Sequence, residues 1–331
     1  MIVNMLKAEH GDCFIISTLN EKNKKFNILV DGGTRNTYRR FMKPTLQEII
    51  NNKECLDLII STHIDDDHIS GIIQLFNDKQ YIKELNPKKI FYNFYDEKTT
   101  YKKDNYISYV QGNELSKLLK EYNSSQKNEF NKLEITQCSN SNSYRIDGIV
   151  IEILSPNINN INNLFEKWRE KNNNISSKTS DYSITIEDFK DNVECSYSSI
   201  TNYSSIAFIL KAENKSILMM GDAHPNSITD VLKEKGYSVH NKLCIDAVKL
   251  SHHGGDNSIS EEFLNIIRCN KFLISSNGKI HNHPKKKTLV DIIRRNSSAE
   301  LYLNYKRGVF SENEIKDFGI LYFEDKCLIE I

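Results

Sequence analysis

Ser61-Thr-His63-Ile-Asp65-Asp66-Asp67-His68 is the stretch on which the reading of the fold turns. It follows the apolar run Leu56, Leu58, Ile59 and Ile60 and precedes Ile69, Ile72, Ile73 and Phe76, which recur at helical spacing, so the local order is strand, charged loop, helix. Three carboxylates and two imidazoles fall within six residues, and neighbouring carboxylates oppose each other's ionisation unless positive charge sits among them. A divalent cation supplies that charge. His63, Asp65, Asp67 and His68 can converge from one tight turn and offer the nitrogen and oxygen donors such ions take. A loop that merely caps a helix, with Asp65 or Asp66 as the N-cap, accounts for the acids but not for the two bracketing histidines.

Lysine plus arginine and aspartate plus glutamate each number 44 among 331 residues, a formal net charge of zero at pH 7. The chain as a whole exerts no net attraction on a polyanion, so a nucleic-acid site has to be a local patch. The seven cysteines (Cys13, Cys55, Cys138, Cys195, Cys244, Cys269, Cys327) are scattered, odd in number and never in a CxxC pair. This argues against a disulfide framework or a zinc-thiolate site and for a reducing compartment. No apolar run approaches the ~18 residues of a membrane span, and the apolar start at Met1 is too soon interrupted for a signal segment. The expectation is a soluble cytoplasmic protein with no membrane partner; length alone suits one large domain or two.

Upstream of the charged loop, Ile2 to Leu6, Cys13 to Ser17 and Phe26 to Val30 read as short strands. The third ends in Asp31-Gly32-Gly33, a sharp turn that lets backbone approach a neighbour closely. Asp31 is expected either to orient a ligand residue or to bond its own backbone. Pro44 opens a helix carrying Leu46, Ile49 and Ile50. Downstream, Ile149 to Leu154 is a strand running into Ser155-Pro156. Residues 157–199 then lose periodicity and read as an insertion, partly helical around Trp168, that serves as a lid or a partner surface. Order returns at Tyr203 to Leu210 and at Ile217 to Met220, the latter closing in Gly221-Asp222. A carboxylate held rigidly at a strand mouth suits the bridge between two cations; N-capping the helix that Pro225 opens is the bland use of Asp222. Cys244 to Leu250 runs into Ser251-His252-His253-Gly254-Gly255, and Ser258 to Glu261 reads as a capping box for a helix with Phe263, Leu264, Ile266 and Ile267. Phe272 to Ser276 leads to His281-Asn-His283-Pro284, then to Lys285, Lys286 and Lys287 at a helix start. Cations there oppose the helix dipole, and an anion bound among them repairs the conflict, so these lysines are expected to grip substrate phosphates.

The spacing His63-x-Asp65-x-Asp67-His68 resembles the His-x-His-x-Asp-His signature of the metallo-β-lactamase superfamily, with Asp65 where the commoner form has its second histidine. Together with Gly11-Asp-Cys-Phe-Ile-Ile16, Ile28-Leu-Val-Asp-Gly-Gly33, Gly221-Asp222, His252-His253-Gly254 and His283-Pro284, it is similar to the hydrolase domain of competence DNA-uptake (ComEC-type) proteins. The resemblance implies an α/β fold, a four-layer αββα sandwich formed by residues 1–331 as a single domain, with its site along one edge of the two sheets. It implies two divalent metal ions held by His63, Asp65, Asp67, His68, Asp222 and His253, with Asp222 as the bridge. His252 and His283 become catalytic residues beside Asp67, although His252 and His253 are interchangeable at this level. Lys249 matches a lysine of that family and meets a phosphate, unless it snorkels from its strand end to water. Ser155-Pro156 stands where many superfamily members place a further ligand histidine. Carboxylates in place of imidazole make a harder donor set, which favours Mn2+ over Zn2+. The expected activity is phosphodiester hydrolysis by two-metal activation of water, as a nuclease on DNA. The alternatives are hydrolysis of a lactone, thioester or β-lactam, and a non-catalytic place in a larger assembly. A stand-alone nuclease of this kind suits a role against foreign DNA, held inactive by a regulatory protein partner.

Overall fold

A computed structural model describes residues 1–93, 107–167, 180–191 and 199–331. In chain order, β1 (Ile2–Met5), β2 (Phe14–Leu19), β3 (Lys25–Val30), β4 (Leu56–Ser61), β5 (Lys89–Tyr92) and β6 (Glu134–Thr136) build the first sheet. β7 (Ser143–Ile146), β8 (Ile149–Ser155), β9 (Ala207–Ala212) and β10 (Lys215–Met219) begin the second sheet. β11 (Leu243–Cys244) then pairs with β13 (Ile267–Arg268), while β12 (Ala247–Lys249), β14 (Lys271–Ile274), β15 (Glu300–Leu303) and β16 (Leu321–Phe323) complete the second sheet. β17 (Leu328–Glu330) returns to pair with β1 at the edge of the first.

Alternation along the strands sorts their side chains into layers. Leu58 and Ile60 of β4 share a buried cluster with Phe208, Leu210, Ile217 and Met219 of the second sheet. Ile59, between them, turns the other way and packs with Leu46, Ile49, Ile69 and Ile72 of the helices Lys43–Asn51 and Asp66–Asn77. Leu218 likewise leaves the shared core for Ile228, Leu232, Leu289 and Ile292 of the helices Pro225–Glu234 and Lys286–Arg295. Each fully buried side chain of this size contributes about 1.5–3 kcal/mol, so strands that are apolar on both faces, such as β4 and β10, tie three layers at once. The architecture is a four-layer αββα sandwich.

β3, β4 and β5 run parallel, as do β10, β12, β14 and β15. Their carboxyl ends release the loops that carry the chemistry, the usual place for a site in such sheets. At this edge the Ile206 N–H donates to the Thr62 carbonyl at 2.8 Å, and the His252 N–H to the Gly221 carbonyl at 3.1 Å. A Cβ on Gly71 would stand 1.9 Å from the Gly32 carbonyl oxygen. That approach seats the first turns of the helix Asp66–Asn77 on the Asp31 turn, where the Gly32 N–H reaches the His68 carbonyl at 2.7 Å.

Local expectations shift in two places. Ser260, not Ser258, caps the helix Glu261–Ile266, accepting from the Phe263 N–H, because the extended backbone sits at Ser260; Ile267 leaves the helix for β13. In the insertion a helix spans Ile158–Lys167, whereas Trp168 lies outside the described residues. No helix among the described residues is long and apolar enough to cross a membrane.

Candidate metal centre

β4 delivers its loop to the helix Asp66–Asn77 at Asp65, whose backbone is extended but whose carboxylate makes no capping hydrogen bond. Thr201 Oγ1 donates to it instead, at 3.1 Å. Asp65 Oδ2 lies 3.6 Å from His63 Nε2, and Asp222 Oδ2 lies 3.9 Å from the same nitrogen. The other Asp222 oxygen faces a second group, with Oδ1 at 3.4 Å from His68 Nε2 and 3.7 Å from His253 Nε2. Those two nitrogens are 3.3 Å apart, and Asp67 Oδ2 is 3.4 Å from the second and 3.9 Å from the first. Donors bound at ~2.0–2.2 Å to one tetrahedral ion stand about 3.3–3.6 Å from each other. Asp67, His68, Asp222 and His253 therefore have the spacing of one ion's ligands, and His63 and Asp65 share Asp222 in an adjoining group. Asp222 is not spent on the following helix, whose N-cap is His224.

The donors also have the chemistry of such a centre. His63 Nε2 and Asp222 Oδ1 are buried without a hydrogen-bond partner, and an unmet buried polar atom costs roughly 1–3 kcal/mol. Burial opposes charge on Asp67, His68, Asp222 and His253, yet their mutual attraction outweighs it. His68 is held well above the ordinary imidazole range because Asp222, Asp67 and Asp31 outweigh its desolvation. His253 rises against burial to about 9 through Asp12 and Asp222. Asp67 and Asp222, though buried, are held below the usual carboxylate range by the same imidazoles. The carboxylates demand positive charge; protons on imidazole meet that demand, and a divalent cation meets it with the imidazoles neutral. The residues fit divalent ions.

Behind these donors stands a supporting layer. Asp31 accepts from Thr62 N–H and Thr62 Oγ1, both at 2.7 Å, and its Oδ2 lies 2.9 Å from His68 Nδ1. It orients a ligand residue and does not close on its own turn. Asp12 is the residue that sequence reasoning missed. With His68, Asp222 and His253 it forms a buried set whose ligand atoms lie within 4.8 Å of one another. Its carboxylate, however, meets His253 on the Nδ1 side at 3.2 Å and is ion-paired with Lys249, so it backs the imidazole while Asp67 faces Nε2. The available signal was Asp12's place beside Gly11: a Cβ there would fall 1.8 Å from the Asp67 carbonyl oxygen, so only glycine lets this turn reach the metal loop.

The β12 loop turns through left-handed backbone at His252 (φ 43°), His253 (φ 56°) and Gly254 (φ 78°). Such conformations cost about 1–3 kcal/mol at non-glycine residues and collect at functional sites. The turn points consecutive imidazoles differently. His253 is buried among the donors, while the His252 side chain is 33% exposed at the rim, its Nε2 3.9 Å from Asp222 Oδ2. The His283 ring stands 5.1 Å from that of His252, and its buried Nδ1 has no partner. Burial, then His252 and His253, push His283 down to about 2. Burial also lowers His252, against the pull of Asp222.

Residues 8–126 match the family model of the metallo-beta-lactamase superfamily. The match takes in β2 to β5 and the metal loop, and the two-sheet αββα architecture is consistent with the sandwich of that superfamily. Among solved structures the chain is similar to the metallo-beta-lactamase fold protein YhfI from Bacillus subtilis, at 10% identity and TM-score 0.45 over 100% of this chain and 99% of that one. It is similar to Zn2+-bound PqqB from Methylobacterium extorquens, at 10% identity and TM-score 0.45 over 100% of both chains. A possible metal-dependent hydrolase from Veillonella parvula aligns at 9% identity and TM-score 0.44 over 100% of this chain and 98% of that one. No curated protein matches the sequence.

Within this αββα sandwich the lysines expected to bind substrate are used internally. Lys249 has no exposed side-chain surface, pairs with Asp12 and donates to the Gly221 carbonyl at 3.0 Å; it meets neither phosphate nor water. Lys286 is 2% exposed and donates to Glu314 at 2.6 Å and to the Ile184 carbonyl at 2.8 Å. Lys287 reaches both oxygens of Asp291 at 2.6 Å, and Lys285 is buried at the N-cap position. The anion at this helix start is the chain's own: Asp181, in the insertion, accepts from the Lys286 and Lys287 N–H groups at 3.2 and 3.1 Å. An exposed cationic patch does not form here because neighbouring carboxylates already neutralise Lys286 and Lys287.

Proposed function

We propose that the chain is a metal-dependent hydrolase of phosphodiesters and that its substrate is DNA. The observation that carries this reading is the donor set: three carboxylates, Asp65, Asp67 and Asp222, stand against three imidazoles, His63, His68 and His253, with one oxygen of Asp222 turned to each group. Divalent ions held there supply Lewis-acid activation of water and of a phosphoryl oxygen. The chain's own part is placement. Asp222 fixes the separation of the two groups, and Asp31 locks the His68 ring. The left-handed turn leaves His252 partly exposed beside His283. Burial lowers both imidazoles from their ordinary range, which favours their neutral form as hydrogen-bond partners for substrate or leaving-group oxygens. DNA as substrate is supported by the similarity of the glycine-aspartate and histidine motifs to those of competence hydrolase domains, which is an argument by analogy. It draws no support from Lys249, Lys286 or Lys287.

The test is a substrate panel with the metal-loaded protein: plasmid, single-stranded DNA, RNA, a chromogenic phosphodiester, a lactone and a β-lactam. Turnover of DNA and the small phosphodiester is expected. Turnover confined to the lactone or β-lactam would replace this reading with acyl hydrolysis.

The hard donor set carries an expectation about the ion. Activity should be higher with Mn2+ than with Zn2+, and Asp65→His should move the preference toward Zn2+, because imidazole is the softer ligand. Stripped and reconstituted samples of both proteins decide it, and identical metal profiles would remove Asp65 from the coordination.

A further inference from the structure

We propose that Lys249 and Asp12 are positioning residues, a buried lysine-aspartate pair that fixes the ring of His253 and, through the Gly221 carbonyl, the approach of Asp222. The inference rests on the metal-centre reading above and names what holds that centre in register. Lys249 is the last residue of β12 and is 0% exposed. An ammonium there is costly unless it is paired and hydrogen-bonded, and an unbranched apolar side chain would fill the same space without that cost. Its two contacts show its use. One is the carboxylate of Asp12, itself 1% exposed; the other is the Gly221 carbonyl, directly before Asp222.

Asp12 Oδ1 in turn lies 3.2 Å from His253 Nδ1, and the Ser275 carbonyl lies 3.0 Å from the same nitrogen. The Ser275 carbonyl takes the Nδ1 proton, with the Asp12 carboxylate beside it, so the nitrogen left to an ion is Nε2, on the side of Asp67 and Asp222. Asp12 Oδ2 also stands 4.0 Å from His68 Nδ1. A single buried cation therefore braces His253 and Asp222, two donors that face the same ion from the ends of β12 and β10. It also neutralises Asp12, which would otherwise add another uncompensated carboxylate to the cluster. An ion pair that only filled the core would have no reason to end on these two groups.

The experiment compares wild type with Lys249→Met, Asp12→Asn and the double variant. Affinity for Mn2+ and Zn2+ is measured by chelator competition, and folding is checked by circular dichroism and melting. Each folded variant is expected to lose about 10–100-fold in affinity for the tighter ion, the usual effect of removing an outer partner of a ligand histidine. The double variant should lose no more than Asp12→Asn, since both changes break one chain of contacts. It leaves no buried charge unpaired, so it carries the test if Lys249→Met fails to fold. A lower melting temperature with affinity within about threefold of wild type would overturn the proposal and leave an ordinary core ion pair. Wild type that binds no divalent ion would overturn the metal centre and this pairing with it.

Discussion

Asp222→Ala is expected to lose both divalent ions, and hydrolysis with them, while keeping its fold. Its two oxygens face different groups, Oδ1 toward His68 and His253 and Oδ2 toward His63. One truncation therefore removes a donor from each, and the loss should exceed the ~10–100-fold effect of removing an outer partner. Leu218 and Met220, which flank this strand end, stay packed in the outer core, so the sandwich has no reason to open. Ligand binding stabilises the native state by about 2.7 kcal/mol when the free ion is at 100 times Kd. Added Mn2+ or Zn2+ should therefore raise the melting temperature of wild type and leave that of Asp222→Ala unmoved. An equal metal-induced rise in both proteins would remove Asp222 from the centre.

Gly11→Ala should damage stability and metal binding together. The new methyl would sit 1.8 Å from the Asp67 carbonyl oxygen and 2.8 Å from Asp67 Cβ. The nearest obstacle is backbone, which no rotamer change can clear. The Gly11 turn and the metal loop must separate, breaking the 3.2 Å bond from the Asp12 N–H to the Asp67 carbonyl and displacing a ligand and its support at once. Overpacking of this kind costs on the order of 1–3 kcal/mol or more. Gly236→Ala is the matched control: it has φ 88° and nothing within 4 Å of its added Cβ, so it meets only left-handed strain of about 1–2 kcal/mol. Denaturant unfolding should show both variants weakened, and metal titration should show only Gly11→Ala impaired. Wild-type metal affinity in Gly11→Ala would mean that the close approach at Gly11 does not shape the site.

The parts of this molecule that were legible in sequence are those whose cause is local. His63, Asp65, Asp67 and His68 share one loop, so their convergence follows from spacing. Asp222 and His253 each end an apolar strand, and the carboxyl ends of parallel strands are where sites gather. The layers were implied by the family resemblance, and they rest on runs such as Leu58-Ile59-Ile60 that bury both faces. What stayed hidden depends on partners distant in sequence. Asp12 is one carboxylate in a turn until the fold brings Lys249 and His253 to it. Lys285, Lys286 and Lys287 look like a phosphate grip because nothing nearby in the chain neutralises them all. The anion at their helix start, Asp181, lies 105 residues upstream of Lys286, and Glu314 lies 28 residues downstream. The expectation at this helix start was a substrate phosphate, and the chain's own Asp181 stands there instead.

The central claim is that the six donors form a metal centre, and metal content tests it most directly. Wild type and Asp67→Ala are stripped, dialysed to equilibrium against Mn2+ or Zn2+, and assayed for bound metal per chain, with melting curves to confirm that both are folded. The account predicts ions retained by wild type and lost, at least from the group of His68, His253 and Asp222, in Asp67→Ala. Wild type without bound metal, or full occupancy in folded Asp67→Ala, would contradict it.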